Sequence, residues 1–102
     1  ILDVARIISK ILLESNSSEV WNLSDNLPST REDFLLEIVK LKNIKKYKII
    51  PFKEYKIKLS VTARKFWFNN KKVSNSKVKQ KLRFHFIFSS YKNGLKSLKY
   101  YL

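Results

Sequence analysis

The chain has 102 residues, with 22 Lys and Arg against 8 Asp and Glu, one Gly, two Pro and neither Cys nor Met, which suits one small domain with a modest core. At 44% hydrophobic and 14% aromatic it carries too much core-forming material for a disordered polycation, despite a formal net charge of +14, so it is expected to fold, at least with its partner. Its apolar runs are broken by charges well short of the roughly 20 residues of a membrane-spanning helix, the lack of Cys excludes disulfides and thiolate chemistry, and a lone His85 cannot supply a zinc ligand set.

Lys (18), Ile (10), Asn (8), Phe (7) and Tyr (5) make up 48 of the 102 residues, and all five have codons built only from A and T, pointing to an AT-rich genome such as an organellar one. Mutational drift of that kind would scatter charge evenly, yet residues 1 to 43 have a net charge of −2 and residues 44 to 102 a net charge of +16, with Glu54 the one acid of the second stretch. A concentrated positive field reads as a polyanion-binding face. The sequence opens at Ile1 without a Met, so a start segment is expected to have been removed or to lie upstream, and no targeting peptide is judged.

In chain order, apolar residues at 1, 4, 5, 8, 11 and 12 predict an amphipathic helix over Ile1 to Leu13. Residues 14 to 28, rich in Ser, Asn and Asp, read as a loop in which Val20, Trp21 and Leu23 form a short strand or anchor. Pro28 followed by Ser29-x-x-Glu32 or Thr30-x-x-Asp33 resembles a capping box, which starts a second helix near Thr30; Asn43, tolerant of left-handed backbone, ends it near Lys42. The period then changes to two: Tyr55, Ile57, Leu59 and Val61 alternate with Lys56, Lys58 and Ser60 as in a half-buried strand, with Ile44 to Ile50 as its antiparallel neighbour. Arg64 to Phe68 and Lys71 to Val73 flank Asn69-Asn70 as a second hairpin, and Leu82 to Phe88 makes a last strand with an aromatic face. Ser89 to Leu102 fits a short helix or an extended end. The expected fold is α+β: two N-terminal helices packed on a small, mainly antiparallel sheet, with an α/β half over residues 1 to 62 and a basic, mainly β, polyanion-binding half over 63 to 102, forming one compact unit.

The carboxylates Asp3, Glu14, Glu19, Asp25, Glu32, Asp33, Glu37 and Glu54 fall on helix surfaces or in the polar loop, where solvation or capping accounts for them. No Ser stands in a nucleophile elbow and one Gly cannot build a phosphate loop, so neither enzyme, cofactor nor metal is expected. The positive signal is basic residues interleaved with aromatics: Arg64-Lys65-Phe66-Trp67-Phe68, then Lys71, Lys72, Lys77, Lys79, Lys81 and Arg83. Such cations neutralise phosphates and release counterions. Phe84, Phe86 and Phe88 are assigned to the core.

The order helix, polar loop, Pro28-Ser29-Thr30-Arg31, helix and two strands resembles the small-subunit ribosomal protein S-eight family, whose second helix opens on a Pro-Ser-Ser-Lys-like segment. Leu41 to Ile49 is similar to the family's Leu-Lys-x-x-Gly-x-Ile-x-x-Tyr/Phe-x-Val with two positions missing, and Phe88 to Ser97 to its Ser-Thr-Ser-Lys-Gly loop with one insertion at Asn93. The family's Pro-Gly segment has no clean copy around residues 74 to 83, and its acidic Gly-Gly-Glu stretch is absent. The resemblance implies a reduced organellar version, a structural constituent of the ribosome, with Ser89, Ser90, Lys92 and Gly94 against the RNA and a lesser part for Pro28 to Arg31. It also implies ribosomal RNA and neighbouring ribosomal proteins as partners, in a mitochondrion, without a small-molecule substrate or membrane span. The other readings are an unrelated organellar ribonucleoprotein component, or a basic domain on an acidic membrane or protein surface.

Overall fold

A computed structural model describes residues 1–15 and 18–101. Among these described residues six α-helices follow in order: α1 Leu2–Glu14, α2 Arg31–Leu41, α3 Phe52–Tyr55, α4 Val61–Phe68, α5 Ser76–Lys81 and α6 Tyr91–Ser97, with a 3-10 turn Lys56–Lys58 after α3. Among the described residues there is no strand, so the expected α+β fold with its antiparallel sheet is corrected to an all-helical one. No described helix is long and apolar enough to cross a membrane.

The two N-terminal helices stand where the sequence puts them. Thr30 caps α2, its hydroxyl accepting from the Asp33 N–H at 3.0 Å, and Asn43 closes it at φ 54°. Side chains within one turn of each helix end set both features. The buried face of α1 is another matter. Asp3 and Ile7 are buried and Ile11 packs on the core, whereas Val4, Ile8 and Leu12 of the expected apolar stripe are exposed, Leu12 at 78%.

Each predicted strand fails for a reason visible in the chain. Ile44 to Ile50 runs without a backbone ladder partner among the described residues, and the carbonyl of Pro51 accepts from the N–H groups of Glu54 and Tyr55, turning the chain into α3. The alternation at residues 55 to 61 therefore faces no sheet, and Ile57 is left 76% exposed. Ser60 then starts α4, its Oγ accepting from the Ala63 N–H at 3.2 Å, so residues 64 to 68 are helical. Neither Asn69 nor Asn70 takes the positive φ a two-residue hairpin turn needs. Between Leu82 and Phe88 the backbone bends at Arg83, φ 48°, and the N–H groups of Ile87 and Phe88 donate to the Asp3 carboxylate at 3.0 and 2.7 Å, not to a neighbouring strand.

The core consists of Ile7, Val78, Leu82 and Phe84, with Ile11, Trp21, Leu23 and Phe86 packed against it. Phe84 and Phe86 meet edge to face at 5.1 Å, so those two rings are core side chains although no strand carries them. The buried Leu95 belongs to α6, which packs on α2 where Phe34 and Tyr91 approach at 5.8 Å. The division at residue 62 is crossed throughout: Asp3 bonds to Phe88, Ile7 shares one core cluster with Val78, and Arg31 bonds to the end of α4. Polar ties fasten the loop as well, since buried Asn75 donates to the Ser24 carbonyl and Asn26 Oδ1, and the Asn26 N–H donates to the Ser89 carbonyl. The radius of gyration is 17.2 Å, well beyond the about 13 Å of a compact domain of this length.

Candidate nucleic-acid interface

The basic residues singled out in the sequence divide by what holds them. On α5, Lys77 and Lys81 lie one turn apart and share Glu19, at 3.5 and 2.6 Å. Lys77 also donates to the Val20 carbonyl and sits 4.6 Å from the Trp21 ring centroid, while Lys79 donates to Asn26 Oδ1 at 3.1 Å. The Lys81 hydrogen bond, helped by the charges of both lysines, holds the Glu19 carboxyl below its ordinary pKa against the opposing effect of burial. These three lysines therefore fasten the loop to α5 as well as carrying charge.

Lys65, Lys71, Lys72, Arg83 and Lys92 are exposed, and among the described residues none of their side chains has a hydrogen-bond or ion-pair partner. Arg64 is exposed too, but its guanidinium returns to the carbonyls of Leu59 and Ile57 and closes the turn before α4. Of the residues implied by the family resemblance, Ser90 caps α6 through the Asn93 N–H, and Ser89 Oγ accepts from Asn93 Nδ2. Gly94 lies inside α6 without a positive φ, and a Cβ there would meet nothing within 4 Å, so its conformation does not require glycine. Arg31 is not free: it donates to the carbonyls of Trp67 at 2.7 Å, Phe66 and Asn69 at 3.3 Å, satisfying the C-terminal end of α4 with a positive charge.

A further basic cluster links the two ends of the chain. Arg6, Ser9 and Lys10 of α1 line a shallow cleft of about 580 Å³ together with Arg83 and His85. Arg6 is fixed by Asp3 at 2.7 Å and the His85 carbonyl at 3.1 Å, and lies over the Phe84 ring at 4.7 Å; Lys10 pairs with Glu14 at 3.1 Å. The spacing of Arg6 and Lys10, one helical turn, was a legible sign of a shared face, but their meeting with Arg83 and His85 depends on the packing of α1 against residues 82 to 88.

Asp3 holds this arrangement. Burial alone would raise its pKa, but the N–H groups of Phe88 and Ile87, with the Arg6 guanidinium, outweigh that and keep the carboxyl below its ordinary value. The positive groups are thus displayed from a helical frame whose own acids are already engaged at Asp3 and Glu19. No known protein family, curated protein or solved structure matches the chain.

Proposed function

We propose that this chain is a structural, RNA-binding protein of the small subunit of a mitochondrial-type ribosome, held to ribosomal RNA by phosphate contacts from its basic C-terminal half. The observation that carries the reading is the surface from Tyr55 to Tyr101: it contains no carboxylate, and Lys65, Lys71, Lys72, Arg83 and Lys92 are exposed and unpaired among the described residues. A net charge of +14 on so small a core repels itself, and neutralisation by phosphates removes that repulsion. The extended shape and the many bare apolar side chains suit a protein that finishes its burial inside an assembly. Charge and shape are the main support; the family resemblance adds to them through the two N-terminal helices and not through a sheet.

The test is binding of the full chain to small-subunit ribosomal RNA over a range of salt, against vesicles containing phosphatidylserine. RNA affinity should fall steeply with salt, and replacing Lys65, Lys71, Lys72 and Arg83 with Gln should lower the slope by about one for each phosphate no longer neutralised. Crosslinking of the chain to small-subunit RNA in organellar ribosomes would place it there. A preference for the vesicles, or a salt slope unchanged in the quadruple variant, would overturn the reading.

A further inference from the structure

Helix α4 ends in three consecutive aromatic residues that the fold leaves uncovered: Phe66 is 62% exposed, Trp67 43% and Phe68 79%. Successive residues of a helix point about 100° apart, so these rings fan around its C-terminal end and cannot all turn toward one core. Phe66 and Trp67 meet edge on, with centroids 6.0 Å apart and planes at 87°. The Arg31 guanidinium lies over both, 4.5 Å from one centroid and 5.0 Å from the other, locked in place by its bonds to the carbonyls that end the helix. It therefore steadies the two rings while leaving much of each in water. Phe68 makes no ring contact among the described residues.

The surroundings say what would cover these rings. Lys65 precedes them, Lys71 and Lys72 follow, all three with side chains that have no hydrogen-bond or ion-pair partner among the described residues, and the nearest acids to Arg31 along the chain are Glu32 and Asp33 in the first turn of α2. An apolar protein segment would gain nothing from free ammonium groups on the residues that flank the rings in the chain and would have to desolvate those it covered. A single strand of RNA presents flat π faces with a phosphate at every step, which matches aromatic rings interleaved with cations. We infer that the C-terminal end of α4 is a stacking site for unpaired bases of RNA, with Lys65, Lys71 and Lys72 meeting the phosphates on either side. This rests on the RNA-binding reading above and deepens it, because it specifies a bulged or single-stranded segment and not duplex.

The experiment compares the full chain with two variants, Phe66→Leu with Phe68→Leu, and Phe66→Tyr with Phe68→Tyr. Leu keeps apolar bulk and favours helix, so α4 should persist, which circular dichroism checks; Tyr keeps the π face. The probes are an oligoadenylate single strand and an RNA duplex of equal length. The Leu variant should bind the single strand about tenfold more weakly with an unchanged salt slope, since stacking releases no counterions, and should bind the duplex as the parent does. The Tyr variant should match the parent on both. Equal losses on both probes, or no loss on the single strand in the Leu variant, would overturn the stacking site while leaving the RNA-binding reading intact. If the parent bound neither probe, both would fall.

Discussion

Asp3 offers the sharpest test of how this small fold is held together. Its carboxylate accepts from the N–H groups of Ile87 at 3.0 Å and Phe88 at 2.7 Å and from Arg6 at 2.7 Å, so one side chain on α1 ties down the segment that carries Arg83 and His85. In Asp3→Asn the amide oxygen can still accept at the position shared by Ile87 and Arg6, but the amide nitrogen then faces the Phe88 N–H, a donor against a donor. A hydrogen bond to a charged group contributes about 1.5 to 3 kcal/mol, and the remaining two bonds lose their ionic component, so the variant should be less stable by about 3 kcal/mol. Against the usual 5 to 15 kcal/mol of a domain, roughly, that is a large fraction. The sign of the pH dependence follows from the lowered pKa. Asp3 contributes fully above its unfolded value near 3.8, and that contribution is lost as pH falls through the still lower folded value. Urea unfolding followed by tryptophan fluorescence, repeated from neutral pH to below about pH 4, should show a steep acid loss in the parent and a shallower one in Asp3→Asn. Equal stability at neutral pH with coincident acid limbs would refute the latch.

Glu19→Gln should release Lys77 and Lys81 for phosphates, raising RNA affinity a few fold, roughly, at low salt and steepening the salt slope by about one; filter binding over a salt series reads both. Gly94→Ala should stabilise the chain by about 0.5 to 1 kcal/mol, because the site is helical and open, and a higher Tm in thermal unfolding is the measure. Ser90→Ala should cost about 1 kcal/mol through loss of the α6 cap, seen as earlier unfolding in urea, where a plain exposed turn would be indifferent.

Among these residues, some properties follow from the chain order and others from packing. The extent of α1 and α2, the Thr30 cap and the left-handed Asn43 depend on partners within about four residues, so local spacing carries them. The concentration of cations after residue 43 is likewise a property of composition. Ser60-x-x-Ala63 was an equally local start signal, hidden by the alternation of Tyr55 to Val61 that overlaps it. A strand is different, because its pattern says only that a ladder would suit it, and the ladder must come from elsewhere in the chain.

Here the would-be donors of the last strand, the N–H groups of Ile87 and Phe88, are taken by Asp3, more than eighty residues away in the chain. With that tie, the face of α1 that carries Asp3, Ile7 and Ile11 lies inward and Val4, Ile8 and Leu12 are left in water, so only Ile11 of the stripe that hydrophobic spacing favoured meets the core. The same distinction runs through the candidate interface. Which residues are cationic was written in the sequence; which of them are free was not, because Lys77, Lys79 and Lys81 meet Glu19, Val20 and Asn26, and Arg31 meets the end of α4, only once distant segments pack. Charge is carried by each residue alone, whereas its availability to an RNA depends on the neighbours that folding brings within hydrogen-bonding reach.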